Sequence, residues 1–185
     1  MNKANIIVAY CKNNGIGLNN TLAWKVRSDM LKFKKMTIGN GNNAIIMGRN
    51  TYESFGVTGL IKRDNLILSS SLDIDVTFNK DKENQNIAKS FATIEKLEEY
   101  VKERNYDEIW IIGGAQIYNY FLNEYPASNI LRPNKIFITY IDAVIECDTY
   151  FPTLDVANLI SSEIHKQNLA QEQFTVLDQI YINNA

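Results

Sequence analysis

Five short, nearly continuous apolar runs recur along the chain: Ile6–Ala9, Ala44–Met47, Leu66–Leu68, Ile109–Ile112 and Ile136–Tyr140. Runs of this length and β-branched character, with little polar alternation, predict strands covered on both faces. Between them the apolar period lengthens. Arg27–Met36 carries Met30, Leu31, Phe33 and Met36, which predicts a helix with Ser28 as its N-cap. Thr93–Arg104 places Ile94, Leu97 and Val101 on one stripe behind a Thr93 cap, and Ala115–Leu122 predicts a third helix after a Gly-Gly pair. Strands alternating with helices predict an α/β fold built on a mostly parallel sheet. Beyond Phe151 the pattern changes. Ile160–His165 and Phe174–Ile182 read as two long strands joined by a polar turn, an antiparallel end to that sheet. Asn79–Ser90 and Asn123–Asn134 are polar and read as loops. With no internal repeat and no long linker, residues 1–185 are expected to form one domain.

Composition narrows the function. A formal charge of -2 supplies no basic field for nucleic acid or an anionic membrane. No stretch approaches the ~20 apolar residues of a membrane helix. The first apolar run is too short for a signal peptide, with charge returning at Lys12. Cys11 and Cys147 are too few and too far apart for a disulfide framework and are expected to be free thiols in a reducing compartment. A cytoplasmic monomer is the expectation. His165 is the sole histidine and has no Cys/His/Glu cluster near it in sequence, so it reads as a structural residue and no metal site is expected. The chain has neither a G-x-x-x-x-G-K-[ST] phosphate loop nor G-x-G-x-x-G after its first strand. Gly15-Ile16-Gly17 reads as a turn or as a mobile loop over a site.

Asp29 begins the Arg27–Met36 helix among apolar neighbours, with Trp24 shortly before it and Phe33 one turn later on the same face. A carboxylate beside Trp and Phe is desolvated, which raises its pKa. Such a group can grip an amidine-like N–C(NH2)–N edge through two parallel hydrogen bonds. From spacing alone, an acid that stabilises the helix start is the better reading. Anion sites are suggested elsewhere. Gly48-Arg49-Asn50-Thr51 and Gly113-Gly114-Ala115-Gln116 each follow a strand and open a helix, where free N–H groups favour phosphate. Arg49 adds a bidentate donor, and Ser69-Ser70-Ser71 adds hydroxyls after a third strand. Each fits simple turn chemistry by itself. Together they lie at the carboxyl ends of strands, where an open α/β sheet binds ligands.

Six segments in order resemble the dihydrofolate reductase family: IIVAYCKNNGIGLNNTLAW, RSDMLKFKKMT, AIIMGRNTYESFG, LIKRDNLILSSS, WIIGGAQIYNYFL and KIFITYIDAVIECDTYFP. The match covers about residues 5 to 152. It implies a three-layer α/β/α fold with a mixed, mostly parallel sheet of about eight strands and an antiparallel C-terminal end. It implies hydride transfer from NADPH to dihydrofolate, giving tetrahydrofolate for one-carbon metabolism. By the same resemblance, Asp29 would bind the pterin and promote protonation at N5, Thr139 would be its hydroxyl partner, and Trp24 would hold a water beside it. Ile7, Val8, Phe33 and Ile112 would line the pterin and nicotinamide pocket. Met30, Phe55 and Leu60 would grip the aminobenzoyl ring, and Arg63 would clasp the glutamate carboxylate. Ala9, Ile16, Gly17, Asn20 and Leu22 would flank the nicotinamide and its ribose. Gly48, Arg49, Asn50, Thr51, Ser69 and Ser70 would hold phosphates, with Arg49 and Ser70 near the 2′-phosphate. Gly113, Gly114, Ala115, Gln116, Ile117 and Tyr118 would wrap the pyrophosphate, and the Gly113–Gly114 bond is expected to be cis.

Four positions depart from the family pattern. Ala23 replaces a proline before Trp24, Tyr52 a tryptophan, Gln116 a positive residue, and Cys147 a small glycine or serine. Two other functions fit the same segments: reduction of another pteridine or of a ribityl-pyrimidine, and a binding module without turnover. Arg63 speaks for a glutamate-bearing substrate. The set Asp29, Trp24, Arg63 and Thr139 speaks for an intact catalytic site.

Overall fold

The computed structural model describes residues 3–56, 59–78, 86–127, 129–154, 159–169 and 172–182. For 159–169 and 172–174 it describes strand pairing alone, so the expectation for the His165 side chain and residues 79–85 of the predicted loop lie outside the described residues.

The chain runs β1 (Lys3–Cys11), β2 (Gly15–Gly17), α1 (Arg27–Ile38), β3 (Ala44–Gly48), α2 (Arg49–Ser54), β4 (Asp64–Leu68), β5 (Asp75–Phe78) and β6 (Asn86–Phe91). It continues with α3 (Ile94–Lys102), β7 (Glu108–Gly113), α4 (Ala115–Asn119), β8 (Pro133–Ile141), β9 (Thr149–Tyr150), β10 (Leu159–Leu169) and β11 (Glu172–Ile182). Among the described residues, nine strands form one sheet in the order β10-β11-β8-β1-β7-β3-β4-β6-β5. The run from β8 to β6 is parallel, while β5, β11 and β10 join antiparallel. A mostly parallel sheet with an antiparallel C-terminal end is what the hydrophobic pattern predicted.

Side chains alternate across that sheet. Ile6, Val8, Ile46, Ile109 and Ile111 pack with Leu97 and Val101 of α3 and with Ile117 and Tyr118 of α4. Ile7, Ile45, Met47, Trp110 and Ile112 face the other way, against Phe33 and Met36 of α1 and Tyr52 of α2. The strands carry apolar residues at consecutive positions because both faces are covered. Each large side chain buried in this way contributes about 1.5–3 kcal/mol.

Several local expectations give way to the structure. The expected loop Asn79–Ser90 does not extend through 86–90: these residues, with Phe91, form β6 beside β4, and Asn86, Ala88 and Phe91 are buried. Lys89 and Ser90 mask this pattern because they lie between the inward positions. Ser28 does not cap α1; Val26 occupies that place, and Ser28 lies within the first turn. Leu31, expected on the inward stripe, is exposed. Thr93 does cap α3, its side chain accepting from the Lys96 amide. The third predicted helix continues past Asn119 as a π-helical turn, Tyr120–Glu124. Pro133 and Asn134, expected in a loop, begin β8. No helix among the described residues is long and apolar enough to cross a membrane.

Candidate active site

The carboxyl ends of β1, β3, β4 and β7 open onto one cavity of about 920 Å³. That is ample for a small-molecule ligand. Asp29 and Phe33, one turn apart on α1, both line it, as do Met30 and Phe55. Ile7, Val8 and Ala9 from β1 and Ile112 from β7 form its floor. Ile16, Gly17, Asn20 and Leu22 line it from the loop that contains β2. Gly48, Arg49, Asn50, Thr51, Ser69, Ser70, Gly114, Ala115, Gln116, Ile117 and Tyr118 complete the wall. Thr21, Ser54, Leu68, Ser71, Ala92 and Thr149 also line it, and of these only Ala92 lies outside every segment the sequence marked.

Five expected site residues stand outside this wall: Trp24, Leu60, Arg63, Gly113 and Thr139. Thr139 is buried on β8, its hydroxyl 3.4 Å from Asp178 Oδ1, and its hydrogen bonding favours the ionised form of the Asp29 carboxyl. Trp24 is buried in a cluster with Cys11, Val26, Ile141, Cys147 and Val176. Its indole N–H is buried and meets no acceptor among the described residues. Leu60 packs in the Tyr52 cluster, its amide donating to Asn65 Oδ1 at 2.8 Å. Arg63 is buried, donates to Thr37 Oγ1, and lies 5.7 Å from the centre of the Phe33 ring. It is thus one side chain removed from the cavity. Burial pushes its guanidinium pKa down to about 10. Gly113 precedes the wall; its φ of 104° and the Tyr118 ring, 2.7 Å from where a Cβ would stand, both demand glycine there. The Gly113–Gly114 bond is cis.

Electrostatics divide the cavity. At the Asp29 end, burial raises the carboxyl pKa above its ordinary value. The Thr139 hydrogen bond and the Lys32 charge oppose this, and the Asp178 charge adds to it. Tyr118 donates from its hydroxyl to the Ile7 carbonyl at 2.9 Å, and burial and the Asp29 charge push its pKa up. At the other end, α2 and α4 begin at Gly48 and Gly114 with no side-chain cap on either. Their first N–H groups are therefore open to an anion. Arg49 leans over this end, Nε 2.8 Å from Glu53 Oε1 and one terminal nitrogen 3.2 Å from Ser71 Oγ. An acid-bearing apolar end joined to an anion-binding end suits a long ligand with a polar aromatic head on one side and phosphates on the other.

A model of the dihydrofolate reductase family matches residues 3–182. The chain belongs to that family. Relatives named dihydrofolate reductase include one from Aedes albopictus, 31% identical over 196 residues and covering 97% of this chain and 99% of its own. One from Heliothis virescens is 31% identical, covering 83% of this chain and 80% of its own. One from Buchnera aphidicola is 36% identical, covering 81% and 77%. Dihydrofolate reductases are oxidoreductases, and this chain has that fold. Of its four departures from the family pattern, Tyr52 is buried as a core residue and Gln116 is exposed on the cavity rim. Ala23 is half-buried beside the Trp24 cluster, and Cys147 is buried against Cys11. Lys32 and Asp178, which bear on the Asp29 carboxyl, were marked by no sequence motif.

Proposed function

We propose that this chain reduces 7,8-dihydrofolate to 5,6,7,8-tetrahydrofolate with NADPH, supplying reduced folate for one-carbon metabolism and thymidylate and purine synthesis. The observation that carries this reading is Asp29, a desolvated carboxylate backed by a hydroxyl at the apolar end of a cavity whose far end is built for phosphates. NADPH fits that cavity and, when bound, supplies the hydride. Gly48, Arg49, Asn50, Thr51, Ser69 and Ser70 would hold its adenosine-side phosphates, and residues 113–118 its pyrophosphate. Ala9, Ile16, Gly17, Asn20 and Leu22 would flank the nicotinamide.

Asp29 would take the amino-pyrimidine edge of the pterin through paired hydrogen bonds. By fixing that edge it holds the ring in reacting register and favours its protonated form. Trp24, with its buried and unsatisfied N–H, would hold a water that delivers the proton to N5. Ile7, Val8, Phe33 and Ile112 exclude bulk water from the ring. Met30, Phe55 and Leu60 would enclose the aminobenzoyl group, and Arg63 would receive the glutamate carboxylate beyond Phe33. The protein acts as a cytoplasmic monomer in this reading.

Dihydrofolate-dependent loss of the reduced nicotinamide's near-ultraviolet absorbance tests the proposal. Wild-type protein is expected to turn over, and Asp29→Asn to lose at least a hundredfold in kcat/KM at neutral pH. A folded wild type that binds NADPH yet leaves dihydrofolate unreduced would remove the proposal.

A further inference from the structure

Behind the loop that covers the cavity lies a pair of thiols with no part in ligand binding. Cys11 ends β1, Cys147 stands two residues before β9, and their sulfurs are 3.9 Å apart. Both are free; Cys11 is fully buried and Cys147 is 9% exposed. The chain neighbours of Cys147, Glu146 and Asp148, are exposed, so the pair lies just beneath the surface and outside the central core.

The two thiols stand on the two segments that clasp the loop. The Lys12 amide donates to the Ala143 carbonyl at 2.9 Å, the Phe151 amide to the Asn14 carbonyl at 2.8 Å, and the Asp148 amide to the Gly17 carbonyl at 3.0 Å. Gly15 packs on both sulfurs: a Cβ there would collide with the Cys147 side chain and stand 3.1 Å from Cys11 Sγ. The next two residues, Ile16 and Gly17, line the cavity. The sulfur pair therefore meets the covering loop at its first residue.

We propose that Cys11 and Cys147 form a redox-sensitive clasp, in which a small hydroperoxide converts the two thiols to a disulfide that locks the loop of residues 15–22. The Cys147 sulfur, the more accessible of the two, attacks a peroxide oxygen. The O–O bond breaks, leaving a sulfenic acid on Cys147 and, for hydrogen peroxide, one water. The Cys11 sulfur then displaces the hydroxyl from the sulfenic sulfur, which forms the S–S bond and releases a second water. The two sulfurs give up two electrons, the peroxide takes them, and both thiol protons leave in the waters. The sulfurs close from 3.9 Å to about 2 Å, a step that rotation of the two side chains shares between them. Burial holds Cys147 as a thiol at neutral pH, so the clasp answers sustained oxidant and not a brief pulse. Once it is closed, segments 11–17 and 143–151 cannot part, and the loop loses the opening that ligand exchange requires.

The effect on turnover rests on the reaction proposed above; mass and hydrogen exchange do not. The full chain is reduced, freed of reductant and exposed to hydrogen peroxide. Its intact mass should fall by two hydrogen atoms, with no covalent dimer on a non-reducing gel. Amide exchange across residues 15–22 should slow at least about fivefold, and dihydrofolate turnover should fall at least about threefold. A dithiol should restore both, which separates the clasp from methionine oxidation. Cys147→Ser and Cys11→Ser should match the reduced wild type before and after peroxide. The wild-type mass and exchange measurements need no variant and carry the test should either serine chain fail to fold. Two thiols still reactive in the unfolded chain after peroxide, oxidation that stops at a sulfinic acid, or a disulfide that leaves exchange at 15–22 unchanged would each overturn the inference. A wild type that locks as stated yet never reduces dihydrofolate would count against the proposed reaction and leave the clasp standing.

Discussion

The Cys147 sulfur lies 3.9 Å from the Cys11 sulfur and directly beneath Gly15, the residue that starts the loop over the cavity. Both thiols are free and buried, and burial together with the Cys11 neighbour pushes the Cys147 pKa up to about 11. Gly15 is held from above as well, by its pairing with Tyr150 of β9. A Cβ at Gly15 would collide with the Cys147 side chain. Gly15→Ala is therefore expected to cost about 1–3 kcal/mol of stability, read from urea unfolding. The double variant Gly15→Ala, Cys147→Gly should recover much of that loss. Simple additivity of the two single effects would show that the contact is not the cause.

Asp29 makes activity and stability pull apart. Its folded-state pKa is raised, so the folded chain binds this proton more tightly than the unfolded chain does. Stability then falls as pH rises from the ordinary carboxyl value, ~4, through the raised one. Asp29→Asn is expected to raise the Tm of the ligand-free protein at pH 7 while abolishing turnover. The gain should vanish below the ordinary carboxyl range. Thermal unfolding at a series of pH values checks both the sign and the window.

Arg63 predicts a difference between substrates. Its guanidinium is buried between Thr37 and Phe33 and its Nε has no partner among the described residues. Arg63→Ala should raise the KM for dihydrofolate about 10- to 100-fold, the range of a lost charge-assisted hydrogen bond. A pterin without a glutamate tail should be bound as before. Equal effects on both substrates would assign Arg63 a packing role only.

Cofactor preference should depend on Arg49. Its contacts with Glu53 and Ser71 hold it at the mouth of the phosphate end. Arg49→Ala is expected to weaken NADPH binding about 10- to 100-fold and to leave NADH binding nearly unchanged. Fluorescence titration with the two cofactors separates these outcomes.

The parts of the fold legible in the sequence were those that two layers of packing dictate. Ile45, Trp110 and Ile111 are apolar without interruption because β3 and β7 are covered on both faces. β6 is not legible in the sequence because a strand near the sheet edge needs fewer apolar residues, and Asn86 is buried there as a polar side chain. The Asp29–Phe33 face was legible because helical spacing is local. The bonds of Lys32 with Asp178 and of Cys11 with Cys147 join residues 146 and 136 positions apart, and no local periodicity encodes such a meeting. Arg63 was legible only through family resemblance, since a buried arginine looks like any surface one in the sequence.

Because β11 lies between β8 and β10, the outer flank of Thr139 is furnished by the strand that is translated last among those described. A nascent chain that has emerged only as far as β9 already carries Asp29, Lys32 and Thr139, yet the edge of β8 is unpaired and the Lys32 ammonium has water where Asp178 will stand. Until that strand docks, the Asp29 carboxyl lacks the Asp178 charge that helps to raise its pKa.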